Sequence, residues 1–414
     1  MKRDQIKNIY LLVLAMLLPV ARGAFAQEDS TVTAVREQIP IEEFASSRAI
    51  NAPQSAVFIM DLKTGEILAE HNVRKALVPA SIMKCVTVGA LIDKTGHDYR
   101  LLTPVYLTGK ESDGRLEGNV VVKGAGDPSL NSRHAPGSTD ICAEIADALA
   151  GRGIKEVAGR ILIDESEFDG PAVPPSWQKG DLSQAYGTGS HALNFEDNAS
   201  GSRSVANPSA IFLSRLGSAL SRKGITVGNG DYPDTGRKLL FNHESAPADE
   251  IMRSCMMRSD NQYAEGLLRL LAVAEGEKGS TAKGAEESNR YWKRRGAPME
   301  GVSIVDGSGL SRSNRVTAAF MGSVLASKSN DPWYASFFPL AGQEGTLRKF
   351  LKGTPLDSYV ALKTGSMKGI QCYAGYKLDD NYAPTHVIVI MLNGMADRAA
   401  ARADVTRLLL NTFK

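Results

Sequence analysis

Apolar, strand-like runs stand near both ends of this chain, with helical patterns filling the space between them. Residues 55–60 lead into the turn Asp61-Leu62-Lys63-Thr64-Gly65-Glu66, and Ile67-Leu68-Ala69 returns from it, which predicts a hairpin. Far downstream, residues 359–363, 371–377 and 386–392 follow one another closely and predict antiparallel neighbours. A final segment, 397–413, carries Val405, Leu408, Leu409 and Phe413 at helical spacing, as expected of a helix packed on a sheet. Strands from both ends can share a sheet only if the middle of the chain folds against them. The predicted class is therefore α/β of the α+β type: a discontinuous domain with an antiparallel sheet flanked by helices, plus a helical lobe.

Between these ends, Pro79-Ala80-Ser81 opens a predicted helix whose Val86, Val88, Ala90, Leu91 and Ile92 are too uniformly apolar for a surface helix. Ser81 and Lys84 then share one face at the start of a buried helix, where the helix N-terminus favours developing negative charge. A serine hydroxyl is inert at neutral pH until a neighbouring base takes its proton. Burial, with a second cation such as Lys363 nearby, would lower the pKa of Lys84 and let it act as that base.

Two further motifs complete the set. Ser259-Asp260-Asn261 interrupts two helical patterns, 251–257 and 263–274, where a lobe can face a cleft. There Ser259 would bridge the two lysines and relay the proton, and Asn261 would hold a substrate amide. Lys363-Thr364-Gly365-Ser366 ends the apolar strand Val360-Ala361-Leu362, and Gly365 permits close approach of a ligand to the backbone. Lys363, Thr364 and Ser366 are candidate carboxylate ligands, and the backbone N–H groups of Ser81 and Ser366 a candidate oxyanion hole.

Each motif has a competitor elsewhere in the chain. Ser176/Lys179 follows Pro174-Pro175 in a loop, and Ser280/Lys283 lies in a polar stretch, so neither holds its lysine out of water. Ser129-Leu130-Asn131 follows the turn signal Gly126-Asp127-Pro128, and Lys63-Thr64-Gly65 occupies the hairpin turn. Context alone separates the candidates.

From Ser81 to Ser259 is roughly 180 residues, whereas a lobe of a few helices with short loops needs only about 60. The surplus predicts a smaller α/β domain inserted over residues 101–237, leaving 27–100 and 238–414 as the discontinuous catalytic domain. Within the insert, Ala150-Gly151-Arg152-Gly153-Ile154 and Ser221-Arg222-Lys223-Gly224-Ile225 hint at a repeated helix–strand unit.

Residues 1–26 have the form of an export signal: Lys2, Arg3 and Lys7, the apolar run 9–20, then Ala24-Phe25-Ala26 ahead of Gln27. The run is shorter than the ~20 apolar residues of a spanning helix, so no integral membrane segment is expected after cleavage. Removing the signal leaves 44 basic against 45 acidic residues and takes the net charge from +2 to −1. A near-neutral mature surface offers no electrostatic case for nucleic acid. Cys85, Cys142, Cys255 and Cys372 lie mostly within apolar segments beside the motifs, so buried free thiols are expected although export permits disulfides. The six histidines are scattered and no CxxC or HxxxH spacing occurs, so neither a metal nor any other cofactor is expected.

With Pro79-Ala80-Ser81-Ile82-Met83-Lys84, the long gap to Ser259, Asp306-Gly307-Ser308-Gly309-Leu310-Ser311-Arg312, and Gly345-Thr346-Leu347-Arg348 ahead of Lys363-Thr364-Gly365-Ser366, the chain resembles the class C low-molecular-mass penicillin-binding proteins of the penicilloyl serine transferase superfamily. The resemblance implies a β-lactamase/transpeptidase-like fold and an exported, periplasmic or extracytoplasmic D-alanyl-D-alanine carboxypeptidase or endopeptidase. Ser81 would attack the D-Ala-D-Ala bond of a peptidoglycan stem peptide, and β-lactam antibiotics would acylate the same serine. The 306–312 segment is expected to be a structural loop near the cleft. Cys85 departs from the aliphatic residue more usual after the lysine, and the insert is short for the larger members. Two alternatives share these residues or this fold: a serine β-lactamase, which needs an activated water for deacylation, and a noncatalytic wall-binding protein, against which the intact Ser81, Lys84, Ser259 and Lys363 argue.

Overall fold

The computed structural model describes residues 39–414; the expected export signal at 1–26 lies outside them. Five strands make one antiparallel sheet in the order Val360–Met367, Ile370–Leu378, Pro384–Asn393, Ser55–Asp61 and Ile67–His71. The two ends of the chain meet in the register Ser55 to Leu392 through Asp61 to His386.

Alternate residues point to opposite faces of a strand, and here both faces are covered. Ala56, Phe58, Val387, Val389, Met391, Ala374 and Tyr376 join the core on the helical-lobe side. Val57, Ile59, Ile388, Ile390, Leu392 and Leu362 enter a second core, closed by Ala401, Val405, Leu408 and Leu409 of the Arg398–Thr412 helix. Burial on both faces explains why these strands are continuously apolar instead of alternating. The last helix thus packs on the sheet as its spacing suggests, and Asp397 caps it by accepting from the N–H groups of Ala399 and Ala400.

The helical lobe contains Met83–Thr95, Ala248–Arg258, Asn261–Val273, Thr281–Arg294 and Ala318–Lys328. The first differs from expectation at its start. Ala80–Ile82 forms a 3-10 turn and the α-helix begins only at Met83, because Ala80 has φ 47° and cannot belong to a regular helix. Close packing holds that turn: a Cβ on Gly309 would lie 1.9 Å from the carbonyl oxygen of Ala80.

A third core gathers residues between Val105 and Phe241. Its strands form two four-stranded sheets, one ordered Lys238–Glu244, Leu102–Leu107, Val120–Lys123, Ile161–Asp164 and the other Thr226–Val227, Glu156–Val157, Arg115–Glu117, Lys110–Ser112. The strand by which the chain leaves, Leu102–Leu107, pairs antiparallel with the strand by which it returns, Lys238–Glu244. This sheet therefore runs past residue 237 to Glu244.

The two similar helix exits adopt one geometry. Gly153 and Gly224 have φ 74° and 70°, and the N–H groups of Ile154 and Ile225 each reach back five residues, to the carbonyls of Leu149 and Leu220 at 3.0 Å. The strands that follow, Glu156–Val157 and Thr226–Val227, pair in parallel.

Candidate active site

The 3-10 turn sets Ser81 at the surface of the lobe while Lys84, one turn on, is fully buried. Lys84 Nζ lies 3.1 Å from Ser81 Oγ, 2.6 Å from Asn261 Oδ1 and 2.8 Å from the carbonyl oxygen of Ser308. Loss of hydration pushes the pKa of Lys84 down; the neighbouring acidic groups of Cys255, Asp260, Asp306 and Glu265 oppose this only in part.

Ser259 ends the Ala248–Arg258 helix in the left-handed conformation, φ 58°, and Asp260 caps the next helix by accepting from Tyr263 N–H at 3.2 Å. That reversal places Ser259 and Asn261 on different partners. Ser259 Oγ accepts from Lys363 Nζ at 2.9 Å, whereas the three hydrogen bonds of Lys84 go to Ser81, Asn261 and Ser308. The expected bridge from Ser259 to both lysines is thus made on one side only, and Asn261 supplies the link to Lys84.

Asn261 departs from expectation in a second way. Its Nδ2 donates to the carbonyl of Tyr186 at 2.8 Å, so the group assigned to a substrate amide already holds a backbone carbonyl. Nothing near Ser259 in sequence signals this contact, which spans 75 residues.

Lys363 lies on the same strand face as Ala361 and Gly365, with no exposed surface. Burial, reinforced by the charge of Lys84, lowers its pKa to about 7. Its second hydrogen bond goes to the carbonyl of Thr364 at 2.9 Å. Two strand positions on, a Cβ at Gly365 would meet the carbonyl oxygen of Pro79 at 2.6 Å and the amide nitrogen of Ser81 at 3.0 Å. Only glycine lets this strand run so close to the Ser81 turn, and the exposed Ser366 follows at once. Thr364 Oγ1 donates to Thr346 Oγ1 at 2.8 Å, which brings the Gly345-Thr346-Leu347 turn to the site.

The 306–312 loop is the floor on which Lys84 rests. Buried Asp306 accepts from the N–H groups of Gly309 and Ser311, from Asn314 Nδ2 and from Trp177 Nε1 at 2.6–2.8 Å. Glu265 Oε1 accepts from Gly307 N–H at 3.1 Å and Ser308 N–H at 2.9 Å, which aims the Ser308 carbonyl at Lys84. Burial, with the neighbouring Asp306, pushes Glu265 up to about 8. Sequence reasoning missed Glu265, although its place four residues after Asn261 sets both on one helix face.

Three of the four competing motifs have structural roles. Ser280 caps its helix by accepting from Lys283 N–H, and Ser129 bonds the side chain of Asp127. Lys63-Thr64-Gly65 is a turn around the side chain of Asp61. All four cysteines are buried and free, and burial holds Cys85 and Cys255 up at about 12. Among the described residues no cluster of His, Cys, Asp or Glu is suited to a metal.

Residues 37–203 and 196–410 match the D-Ala-D-Ala carboxypeptidase 3 (S13) family. A D-alanyl-D-alanine carboxypeptidase from Actinomadura sp. (strain R39) is 26% identical, over 88% of this chain and 82% of the relative. D-alanyl-D-alanine carboxypeptidase DacB from Haemophilus influenzae is 25% identical, over 76% of this chain and 80% of its own length. The crystal structure of penicillin binding protein 4 (dacB) from Haemophilus influenzae superposes with a TM-score of 0.77 at 22% identity, covering 92% of this chain and 99% of that one, and shares its fold.

Proposed function

The chain belongs to the D-Ala-D-Ala carboxypeptidase 3 (S13) family, and from that premise we propose that it is a serine DD-peptidase working through an acyl-enzyme on Ser81. The observation that carries the assignment is the fully buried Lys84 amine 3.1 Å from Ser81 Oγ, a base stripped of water beside an otherwise inert hydroxyl.

In its neutral form Lys84 takes the Ser81 proton as Oγ attacks the carbonyl of the penultimate D-Ala. The backbone N–H groups of Ser81 and Ser366 hold the developing oxyanion, which the close approach at Gly365 supports. Ser259 passes a proton to the departing amine and takes one in its place from Lys363 Nζ, 2.9 Å away, while Lys84 keeps the Ser81 proton and returns it to Oγ when the ester is cleaved; the proton lost by the attacking water restores Lys363 through Ser259. Lys363, Thr364 and Ser366 hold the terminal carboxylate. Asn261 keeps Lys84 in place and holds the substrate amide where the Tyr186 carbonyl now sits. Water then hydrolyses the ester, releasing the shortened peptide.

The substrates are peptidoglycan stem peptides ending in D-Ala-D-Ala, with cross-links as further candidates, and β-lactams acylate the same serine. Action is extracytoplasmic, in the periplasm where there is one, after removal of residues 1–26. Among the described residues no helix is long and apolar enough to cross a membrane. The 101–237 segment, with its return strand to Glu244, is an inserted domain; its separate core and paired entry and exit strands support this.

Brief exposure to benzylpenicillin followed by intact-protein mass spectrometry and peptide mapping tests the assignment. A stable single adduct on Ser81, absent in Ser81→Ala, is expected. Normal labelling of Ser81→Ala sinks it, and rapid drug hydrolysis without an adduct indicates a β-lactamase instead.

A further inference from the structure

Of the three groups bonded to Lys84 Nζ, two fix where the amine stands relative to Ser81 Oγ: Asn261 Oδ1 and the Ser308 carbonyl. One short segment, residues 177–187, reaches both. It lies within the proposed insert and is pinned to the rest of it, with Ala185 N–H donating to the Ser202 carbonyl at 2.8 Å and Ser204 N–H to the Ser183 carbonyl at 3.2 Å.

The two ends of the segment leave the insert for the helical lobe. At one end the Tyr186 carbonyl accepts from Asn261 Nδ2 at 2.8 Å. A substrate amide takes over that contact in the proposed mechanism, so it steadies Asn261 in the free enzyme alone. At the other end buried Trp177 donates from Nε1 to Asp306 Oδ2 at 2.8 Å, across 129 residues of chain. No step of the proposed mechanism gives up this second bond.

What Trp177 holds there is the hub of the loop beneath Lys84. Asp306 Oδ1 accepts from Gly309 N–H at 2.8 Å and Asn314 Nδ2 at 2.7 Å, and Oδ2 from Ser311 N–H at 2.6 Å and the indole. Three of these four donors belong to the loop and close it on itself. The indole N–H comes from outside and fixes the closed loop in place, together with Glu265 on the Gly307 and Ser308 N–H groups and Thr87 on the Gly307 carbonyl. A buried carboxylate that loses a donor is costly to leave short, so the loop must adjust. Its movement would shift the Ser308 carbonyl under Lys84, and with Gly309 the turn at Ala80 that carries Ser81.

We propose that Trp177 is a positioning residue for the general base: acting from the insert through Asp306, its N–H sets the Ser308 carbonyl and so the placement of Lys84 Nζ against Ser81 Oγ. The inference rests on the DD-peptidase assignment and gives the insert a part in the chemical step.

Benzylpenicillin acylation of the full mature chain, followed over a range of drug concentrations, separates the limiting rate from half-saturation. Trp177→Phe keeps an aromatic ring and removes the N–H. Its limiting rate is expected to fall about tenfold, short of the ~10²-fold that a 1 Å misplacement can cost, because Glu265 and Thr87 still hold the loop. Half-saturation should stay within about twofold, as for an interaction felt in the chemical step and not in ground-state binding. Lys179→Ala, which removes an exposed side chain of the same segment, should change neither. Should Trp177→Phe not fold, β-(3-benzothienyl)alanine at position 177, which has the shape of tryptophan without its N–H, is read by the same split. A wild-type limiting rate, a change confined to half-saturation, or a rate loss matched by loss of folded protein in circular dichroism overturns the inference. Labelling of the wild type separates the two failures: if Ser81 is labelled, an unslowed variant removes the positioning role alone, and if it is not, the DD-peptidase assignment falls with it.

Discussion

The tripeptide Lys-Thr-Gly occurs in two regions of this molecule with opposite consequences. Lys63-Thr64-Gly65 turns the chain between the first two strands, its backbone N–H groups folded around Asp61 Oδ1 at 2.8 Å and its side chains in water. Lys363-Thr364-Gly365 lies on an edge strand of the same sheet, yet Lys363 is fully buried between Ser259 and Lys84, and Gly365 abuts the Ser81 turn. Identical residues thus serve as turn chemistry in one place and as an electrostatic anchor in the other. What separates them is the burial supplied by chain segments far away in sequence.

The largest expected effect comes from removing the anchor. Lys363→Ala should slow benzylpenicillin acylation by about 10²–10³-fold, the scale seen for a preorganised charge partner in a dry site. Gly365→Ala should cost a comparable ~10²-fold, because the added methyl meets backbone atoms at 2.6 and 3.0 Å and must push the strand from the nucleophile. Stopped-flow acylation rates measure both, and the comparison breaks if Lys63→Ala slows acylation to a similar extent.

The next effect is on pH dependence. Lys363, held to about 7, loses its charge as pH rises through neutrality, which would weaken the grip on a substrate carboxylate proposed for it. For a peptide substrate, kcat/KM should therefore fall above about pH 7, and Lys363→Arg, which stays charged, should shift that limb upward. In the proposed mechanism the ascending limb is that of Lys84, lowered from the ordinary lysine range by burial. An unshifted descending limb in Lys363→Arg would remove Lys363 from the assignment.

A smaller effect concerns the floor beneath Lys84. Burial, with Asp306 beside it, holds the Glu265 carboxyl at about 8 in the fold, against 4.5 for an ordinary glutamate. With the folded value raised, its contribution to stability is fully present below 4.5 and is lost as pH rises through about 8. Thermal unfolding of Glu265→Gln, compared with wild type at pH 5 and pH 9, should therefore shift in favour of the variant at the higher pH. A pH-independent difference would show that folding does not hold the buried carboxyl in its protonated form.

The gross layout was legible in the chain because continuous apolar runs and helical spacing report burial directly. Residues 386–392 and the helix over 397–413 needed no tertiary knowledge to place. The three motifs could be separated from their competitors for the same reason, since Pro174-Pro175 or a polar flank marks a lysine that stays hydrated. Finer wiring was not legible. Lys84 meets the Ser308 carbonyl across 224 residues and Asn261 meets the Tyr186 carbonyl across 75, and no local pattern encodes which carbonyl a donor will find. The left-handed Ala80 was hidden too, because its strain is held by Gly309 from another segment.

The smallest effect tests the other half of the comparison. Gly65 has φ 75°, but a Cβ there would meet nothing within 4 Å. Gly65→Ala therefore introduces strain without a clash, about 1–2 kcal/mol for an L-residue in the left-handed region, partly offset by the ~0.4–1 kcal/mol that alanine removes from unfolded-chain entropy. The expected result is a slightly lowered melting temperature with an unchanged acylation rate, the reverse of Gly365→Ala, where the rate should suffer most. A clear drop in acylation for Gly65→Ala would mean that the hairpin transmits its strain through the Ser55–Asp61 strand to the site. The two tripeptides would then be mechanically coupled rather than merely alike.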